Sequence, residues 1–593
     1  MLAPSAPAPA PAPAPAPGPA VDPAVDFDGA FHAALAPLFG GLSPISLALA
    51  QADWALHWLT QPAQSLQLAL EAQRNGFEAV LRSLSPAADA MPAATDARFR
   101  HPGWQQWPFA PLVRNYLDAA AWWQRATHLR GMSAHHRDVT RLFARQWLDM
   151  LSPANFALTN PEVLQRTRER FGANFVDGTA IALDQWRLRH GLAPLTPPEH
   201  PYLPGVDLAV TPGKVVHRNA LVELIQYAPQ TPQVHAEPVF IVPSWIMKYY
   251  VLDLSPHNSL VRWLVGQGHT VFIVSWRNPD ASDALLSMAD YLELGVLDPL
   301  AAIAQQLPDT RVHACGYCLG GTLLAIAAAA LARPQRVPRA HMLAPLASLS
   351  LLAAETDFSE PGEMGVLIDE AQVAMLEDQM AARGFLSGRQ MAGSFQFLHA
   401  RELVWSARTR ELLLGEPARP NDLMAWNADV TRLPAAMHSE YLRRCYLRNE
   451  LAEGRYPVEG EAVSLADITL PVFAVGTERD HVSPWHSVYK LHRLTPTELC
   501  FVLTNGGHNA GIVSEPGHAG RRYAMHTRRR GDPVRDAEAW QAQASRHEGS
   551  WWPAWHGWLL AHGSHAQVPA RQIAAASALA EAPGEYVLQR YND

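Results

Sequence analysis

The feature that most constrains the fold is a short strand that runs through a glycine-rich turn into an apolar helix. Residues 312–315 are mainly β-branched or apolar, and residues 316–320 have the form G-x-C-x-G. A reactive side chain at the centre of such a turn projects from the carboxyl edge of a sheet, and the residues two before and two after it must be small. Gly316 and Gly320 satisfy this condition, so the pattern places Cys318 at the tip of the turn.

Cys318 is therefore a candidate nucleophile. The helix that begins behind it favours the thiolate, and the backbone N–H of Leu319 is a candidate donor for an oxyanion hole. Two other interpretations stay open. In the first, Cys318 is a structural cysteine in a glycine-rich turn. In the second, it is the partner of Cys315 in a C-x-x-C redox pair. The strand before the turn and the glycines around Cys318 favour the nucleophile.

The second half of the chain alternates short β-branched runs with helical patterns. This alternation predicts a mostly parallel central sheet with helices on both faces, and runs that are apolar throughout are typical of buried parallel strands. Together with the turn at Cys318, it predicts an α/β protein of the α/β-hydrolase fold. The predicted strands are Val239–Val242, Val271–Val274, Val312–Cys315, Val472–Val475 and Cys500–Leu503.

The chain divides into three predicted regions. Residues 1–24 form an Ala/Pro-rich arm with almost nothing to bury, so we expect it to be disordered. Residues 25–204 are predicted to form a mainly helical N-terminal domain. Residues 205–593 are predicted to form the catalytic α/β domain, with a helical cap inserted at about residues 348–465, where the strand pattern lapses.

Two stretches of the N-terminal region show apolar residues at helical spacing. Steps of three and four place such residues on one side of a helix, and we expect both sides to be buried. The two sets are Val113, Tyr116, Ala120, Trp123 and Thr127, and Phe143, Trp147 and Leu151.

A nucleophile in this kind of turn needs a histidine base and an acid that orients it. In this fold they follow the nucleophile in the order acid, histidine, each on a loop after a later strand. The next-to-last predicted strand is followed by Glu478 and Asp480, and we predict Asp480 as the acid, with Glu478 as the competing carboxylate. The last predicted strand is followed by two glycines and His508, the predicted base; His481 is the alternative.

Composition argues against several functional classes. A net charge of −9 is unfavourable for a nucleic-acid partner. Four cysteines in 593 residues do not make a disulfide framework, which fits a reducing cytosol. We expect no secretory signal, and no transmembrane segment, because the longest apolar run, Leu323–Ala332, is about half of what a bilayer requires. No metal-ligand spacing or phosphate-binding glycine motif stands out.

The residues around Cys318, and several motifs far from it, resemble those of polyhydroxyalkanoate synthases. The resemblance runs from roughly residue 90 to 560, with the motifs in the family's order. The chain length, with a full N-terminal domain, is similar to that of the single-subunit class I enzymes. The matching motifs are Ser152–Phe156, Asn160–Glu162, Lys248–Leu254, Ser275–Pro279, Gly316–Gly321, Trp426–Asp429, Tyr441–Arg443 and Gly549–Pro553.

The resemblance implies a polymerising acyltransferase that uses (R)-3-hydroxyacyl-CoA. It implies that Cys318 carries the polyester as a thioester, that His508 deprotonates the thiol and the attacking hydroxyl, and that Asp480 orients His508 or assists the hydroxyl directly. The overall pattern leans towards short chains such as 3-hydroxybutyrate. Coenzyme A is part of the substrate and a released product, so no cofactor is expected. The resemblance also implies a homodimer on the surface of polyester granules in the cytoplasm.

Three departures from the family pattern bear on acyl-chain preference. Asn509 stands where the family commonly has Ile, Met247 stands where it often has Asn, and residues 243–245 differ from its Pro-Pro-Cys-like stretch. Two alternative functions stay open: a cysteine-dependent ester or polyester hydrolase of the same fold, and a catalytically silent granule-associated protein.

Two further clusters follow His508. Five arginines, Arg521, Arg522, Arg528, Arg529 and Arg530, are candidates for binding CoA phosphates or for a solvated surface. The tryptophan-rich run at residues 551–555 is predicted to pack a C-terminal helix onto its domain, rather than to contact polyester.

Overall fold

The computed structural model describes residues 23–84, 96–196, 202–333, 337, 340–573 and 578–591, with side chains from residue 27 onwards. Residues 1–22 of the predicted arm lie outside the described residues. The N-terminal region is mainly helical, as predicted. Its helices are α1 (Pro23–Leu35), α2 (Pro44–Thr60), α3 (Pro62–Leu84), α4 (Phe109–Ala126), α5 (Ala134–Met150), α6 (Pro161–Glu169) and α7 (Ala173–Arg189).

The two helices predicted from apolar spacing are α4 and α5, but only one of the predicted faces is buried. Val113 of α4 is fully buried. On α5 the expectation was wrong, because Trp147 and Leu151 are 62% and 61% exposed, and Val139 and Leu142 are buried instead. The buried side of α5 is rotated because this helix packs against α2 and α4 and against residues 363–406 in the second half of the chain.

Seventeen strands are found among the described residues. The five predicted strands are all present, three of them with two more residues at the carboxyl end. The strands are β1 (Gly213–Arg218), β2 (Val222–Tyr227), β3 (Gln233–His235), β4 (Val239–Val242), β5 (Val271–Trp276), β6 (Val312–Tyr317), β7 (Leu346–Leu352), β8 (Phe385–Leu386), β9 (Leu433–Pro434), β10 (Tyr456–Val458), β11 (Glu461–Val463), β12 (Val472–Thr477), β13 (Leu499–Thr504), β14 (Arg522–Arg528), β15 (Ser545–Glu548), β16 (Gln567–Pro569) and β17 (Ala580–Glu581).

Eleven of these strands form one sheet, in the order β15-β14-β13-β12-β7-β6-β4-β5-β2-β1-β17. The six central strands, from β13 to β5, are parallel, and the outer strands pair antiparallel. Parallel neighbours end at the same edge of a sheet, and ligands bind outside that edge. The loops that follow β6, β7, β12 and β13 therefore lie side by side.

Helices cover both faces of the sheet and give it two hydrophobic cores. Phe240 and Val242 of β4 pack into one core, and Val239 and Ile241 into the other, as the alternation of side chains along a strand requires. The helices are α8 (Leu260–Gly266), α9 (Met288–Leu292), α10 (Asp298–Gln306), α11 (Leu319–Leu331), α12 (Glu370–Ala381), α13 (Gly388–Leu398), α14 (Asp422–Ala428), α15 (Ala435–Tyr441), α16 (Trp485–Tyr489), α17 (Leu491–Leu494), α18 (Ala537–Gln543) and α19 (Trp552–Ala561). The fold is the predicted α/β-hydrolase type.

The segment between β7 and β12 is mainly helical and contains α12 to α15. The predicted start of the cap, near residue 348, lies inside β7, so the helical segment begins after Leu352. β7 contains no β-branched residue: its sequence is Leu-Ala-Ser-Leu-Ser-Leu-Leu, and its two serines, Ser348 and Ser350, are buried. Each serine hydroxyl has a buried partner, the rings of His313 at 2.7 Å and Trp555 at 2.9 Å.

The N-terminal helices pack against this helical segment. The backbone N–H of Ser43 donates to the Gln372 side chain at 2.7 Å, and Gln372 donates to the carbonyl of Gly41 at 2.9 Å.

Among the helices described, no single one is long and apolar enough to cross a bilayer. One pair of helices, Phe27–Phe39 and Pro44–Thr60, is long and apolar enough when taken together, but the pair is bent by 64°.

Candidate active site

The turn between β6 and α11 holds Cys318 in a backbone conformation that is rare for a residue with a side chain. Its φ is 52° and its ψ is −127°. The conformation is fixed from both sides: the Cys318 N–H donates to the Leu352 carbonyl at 2.9 Å, and the Cys318 carbonyl accepts from the Gly321 N–H at 2.8 Å. Such strain persists only where surrounding structure over-determines it, and it is common at active sites.

The glycines around Cys318 are required by close packing. A Cβ on Gly316 would collide with the backbone of Gly321, and a Cβ on Gly320 would collide with the carbonyl oxygens of Val242 and Pro243. The sequence requirement for small residues at these positions is therefore met. The Leu319 N–H, the predicted oxyanion donor, is at the first position of α11, where helix N–H groups have no partner within the helix.

The loops after β12 and β13 bring Asp480 and His508 together. The Nδ1 of His508 is 2.9 Å from the Oδ2 of Asp480, and both side chains are largely buried. Asp480 is held in turn by the Thr477 hydroxyl at 3.0 Å and by the backbone N–H groups of Val482 at 2.9 Å and Ser483 at 2.8 Å. These donors fix the carboxylate, which fixes the imidazole.

The charges in this group shift the pKa values of both partners. Burial by itself would lower the pKa of His508, but the charges of Asp480 and Cys318 and side-chain hydrogen bonds with both outweigh it, so the pKa stands well above the ordinary value. Burial by itself would raise the pKa of Asp480, and His508 and the backbone donors lower it. Cys318, His508 and Asp480 therefore form one interacting group.

The His508 loop is positioned by its neighbours. The Tyr317 hydroxyl donates to the Asn509 side chain at 2.6 Å, and the Tyr317 ring lies beside the His508 ring, with centroids 5.6 Å apart. Further along the loop, the indole N–H groups of Trp551 and Trp552 donate to the carbonyls of Gly511 and Ile512, each at 3.0 Å. The tryptophan-rich run packs inside the domain, as predicted, and it supports the loop that carries His508.

The alternative residues for the acid, the base and the redox pair have other contacts. Glu478 pairs with Arg522 at 3.0 Å, and the His481 ring packs against His399, with centroids 5.4 Å apart. Cys315 lies in β6, where it is buried and free, and burial raises the pKa of its thiol far above the ordinary range. A buried thiol of raised pKa is a poor nucleophile, so the geometry does not favour a redox pair.

The arginines after His508 are divided between structure and surface. Arg528 is buried and donates to the carbonyls of Thr495 and Thr497, at 2.7 and 2.8 Å. Arg529 and Arg530 are exposed. Arg528 and the paired Arg522 have protein partners, so the cluster as a whole does not form a single anion site.

A cavity of about 530 Å³ lies beside Cys318. Its wall comes from the sheet edge, from the helical segment after β7 and from the turn between α1 and α2. Most of the lining side chains are apolar, which suits an acyl chain. Representative lining residues are Cys318, Leu319, Ile246, Phe358, Tyr441 and Gly41.

Glu355, which the sequence patterns did not single out, also lines this cavity. It follows β7, the strand that lies between the strands leading to Cys318 and Asp480. It is 4% exposed. The sequence signal for Glu355 is that it is the first carboxylate after an apolar strand, but β7 itself was not recognised.

The described residues also contain a group of three histidines, His235, His269 and His556, with ligand atoms within 4.8 Å of one another. His269 and His556 are 3.0 Å apart, nitrogen to nitrogen, which is a hydrogen-bond distance. This contact pairs one nitrogen of each ring, and the buried Nδ1 of His269 has no hydrogen-bond partner among the described residues.

The fold and this arrangement define an α/β-hydrolase-fold protein with a cysteine at the tip of the strand–turn–helix. Comparison with known families agrees: residues 237–515 match the alpha/beta hydrolase fold, residues 95–264 match the N-terminus of poly-beta-hydroxybutyrate polymerase, and residues 22–64 match a second N-terminal model of that polymerase. The chain belongs to the poly(3-hydroxyalkanoate) polymerase family, as the sequence motifs indicated.

Three curated relatives carry this assignment. A poly(3-hydroxyalkanoate) polymerase of Methylorubrum extorquens is 37% identical over 89% of this chain and 88% of its own length. The corresponding polymerase subunit of Rhizobium meliloti is 36% identical over 90% of this chain and 87% of its own length. That of Cupriavidus necator is 36% identical over 86% of each chain.

Proposed function

We propose that this protein is a polyhydroxyalkanoate synthase that polymerises (R)-3-hydroxyacyl-CoA, with 3-hydroxybutyryl-CoA as its substrate, and releases CoA. Family membership supports the reaction class. The observation that carries the mechanism is the strained Cys318, at the edge of an apolar cavity, in one interacting group with His508 and Asp480.

In the proposed first step, His508 accepts the thiol proton of Cys318, and the sulfur attacks the thioester carbonyl of the substrate. The Leu319 N–H stabilises the oxyanion. The new carbon–sulfur bond forms as the bond to CoA breaks, and the departing CoA sulfur takes the proton from His508. Asp480 accepts a hydrogen bond from Nδ1 of His508, which leaves Nε2 free for these transfers.

In the second step, the hydroxyl of one 3-hydroxyacyl unit attacks the thioester on Cys318. The hydroxyl proton passes to His508 and then to the released Cys318 sulfur, while a carbon–oxygen ester bond replaces the carbon–sulfur bond. A thioester is a suitable intermediate because it is close in energy to the CoA substrate, so the first step is nearly balanced. The second step exchanges a thioester for a more stable oxygen ester and so favours the polymer. No cofactor takes part, since CoA enters with the substrate and leaves as a product.

The function is tested by incubating the protein with 3-hydroxybutyryl-CoA. Free CoA together with insoluble polyester is the expected result. Free CoA together with free 3-hydroxybutyrate would instead show a hydrolase. Absence of CoA release from the folded protein would overturn the proposal in favour of a silent granule-associated protein.

We also propose that the active form is a homodimer on the surface of cytoplasmic polyester granules. The region from α1 to α3, including the turn after α1, exposes many large apolar side chains, which supports an apolar partner surface. These side chains include Phe27, Phe31, Leu38, Phe39, Leu49, Leu56, Leu59, Leu66, Leu70 and Phe77. Light scattering should give twice the mass of one chain, and the protein should sediment with granules made from its own product; a monomer that stays in the supernatant would refute both.

A further inference from the structure

Glu355 occupies a position in the sheet that gives it access to the reacting group. β7 lies between β6, which leads to Cys318, and β12, which leads to Asp480. The loop after β7 therefore emerges between the nucleophile and the acid. The carbonyl of Glu355 accepts a hydrogen bond from the Thr322 hydroxyl of α11 at 2.7 Å, which ties this loop to the helix that begins at the turn.

The same loop carries two signs of a functional site. Ala353 has a φ of +47°, which is strained for a residue with a side chain. The side chain of Glu355 is buried, lines the cavity, and has an oxygen without a hydrogen-bond partner within the described part of the chain. Burying a polar atom without a partner is energetically unfavourable, so this oxygen is expected to have a partner in some state of the protein.

The environment of Glu355 favours the uncharged form of its carboxyl group. Burial raises its pKa well above the ordinary value, and the nearby negative charges of Asp480 and Cys318 raise it further; the cationic forms of His508 and Lys490 lower it but do not outweigh these effects. An uncharged carboxylic acid has an O–H group and is a hydrogen-bond donor, which a carboxylate is not.

We propose that the carboxylic acid of Glu355 donates a hydrogen bond to the oxygen on C3 of the acyl group that Cys318 carries, and so selects 3-oxygenated acyl groups over plain ones. This inference rests on the proposed function, in which Cys318 is acylated. The C3 oxygen is two carbons from the reacting carbonyl, and it is a hydroxyl oxygen in the first unit and an ester oxygen within a chain. One donor in an apolar cavity recognises both forms.

The selectivity follows from what an acyl group without this oxygen would leave behind. Butyryl-CoA fills the same apolar space as 3-hydroxybutyryl-CoA but leaves the Glu355 hydroxyl without an acceptor. A site built to bind a substrate oxygen discriminates against the analogue that lacks it for this reason. The oxygen on C3 therefore determines which acyl-CoA is preferred in the first acylation step.

The test is the rate constant of the first CoA release, measured by quenched flow for 3-hydroxybutyryl-CoA and for butyryl-CoA. Glu355→Met keeps an unbranched side chain but removes the donor, and we expect the preference for the hydroxylated substrate to fall about tenfold. Glu355→Gln keeps an N–H donor and should hold the preference within about threefold of that of the unaltered protein. Thr356→Val, at the neighbouring buried position, should not change it.

A preference that is unchanged in folded Glu355→Met would overturn the inference, as would an equal loss in Thr356→Val. If Glu355→Met does not fold, infrared difference spectra of the acylated protein replace it. The carboxylic C=O band should shift on acylation with the 3-hydroxybutyryl but not the butyryl group, and it should be missing in Glu355→Gln; the same spectrum for both acyl groups would refute the hydrogen bond. Absence of CoA release from either substrate would count against the proposed function instead.

Discussion

At the scale of single residues, His508 is the group through which pH should act. Burial opposes its protonation, but the negative charges around it raise its pKa well above the ordinary value. Cys318 and His508 titrate as a coupled pair that is reactive once it has lost its first proton, so activity should rise with pH through that step. Asp480→Asn removes one of these charges and lowers the pKa, so we expect the acid limb of CoA release to move to lower pH. The maximum rate should fall by about 10²–10⁴-fold, because the asparagine oxygen stays with the N–H groups of Val482 and Ser483, and its NH2 group then faces Nδ1 and favours the wrong tautomer of His508.

This prediction is checked by measuring initial CoA release against pH in both proteins. Glu478→Gln is the matched control: its carboxylate follows the same strand but pairs with Arg522, so its pH profile should match that of the unaltered protein. A profile that moves with Glu478→Gln and stays in place with Asp480→Asn would reassign the acid.

The hydrogen bond between Tyr317 and Asn509 predicts a non-additive pair of substitutions. Asn509→Ala leaves the buried Tyr317 hydroxyl without an acceptor and should lower the free energy of unfolding by about 1–3 kcal/mol. Tyr317→Phe combined with Asn509→Ala removes both partners and should cost less than Asn509→Ala alone. Urea unfolding followed by tryptophan fluorescence measures these two variants and Tyr317→Phe alone, and strictly additive effects would show that the bond does not stabilise the loop.

At the scale of elements, the turn at Cys318 predicts a sharp contrast between two glycines. In Gly320→Ala the new Cβ meets two backbone carbonyl oxygens, so we expect the free energy of unfolding to fall by about 1–3 kcal/mol and CoA release to be lost. Gly557→Ala places a Cβ in open space within α19, where it should be neutral or stabilising by about 0.5–1 kcal/mol. Equal stability and activity in the two variants would mean that the turn is not tightly packed.

The central elements were predictable from the sequence because apolar, β-branched runs and glycine spacing are local signals. β4, β5, β6, β12 and β13 were found in this way. β7 was not recognised, because it contains two buried serines. Their hydroxyl groups form hydrogen bonds with His313 and Trp555, partners that only the tertiary structure brings close. The predicted burial of Trp147 was wrong for a similar reason. Helical spacing identifies an apolar side of a helix, but the neighbouring helices determine which side is buried.

The candidate site was predictable to the same extent. Cys318, Asp480 and His508 each follow a recognisable strand, so their order along the chain and the parallel sheet were enough to place them together. Glu355 was not predictable, because it follows the one unrecognised strand among these neighbours. The role of Asn509 as the acceptor for Tyr317 was also beyond the sequence, since the two residues are 192 positions apart.

At the scale of the whole molecule, the N-terminal helices complete the cavity wall by packing on α12. Gln372→Leu removes both side-chain hydrogen bonds to the turn between α1 and α2, and leaves a buried backbone N–H and a carbonyl unpaired. We expect amide hydrogen exchange at residues 41–46 to become about tenfold faster or more, and the KM for the acyl-CoA to rise.

Asp378→Asn is the control for this contact. Its partner His32 is half exposed, and such surface pairs contribute about 0–1 kcal/mol, so exchange in this variant should change little. Unchanged exchange in Gln372→Leu would show that the helices are held by other contacts.

Acylation of the Cys318 sulfur is the central step of the proposed mechanism. The direct measurement is peptide mass spectrometry after a short incubation with 3-hydroxybutyryl-CoA and an acid quench. We predict a thioester adduct of 3-hydroxybutyryl units on the peptide that contains residues 312–326, assigned to Cys318. The adduct should be lost on treatment with hydroxylamine and missing in Cys318→Ser, while Cys315→Ala should still form it. An adduct on Cys315 or on an unrelated residue, or CoA release that continues in Cys318→Ala, would contradict it.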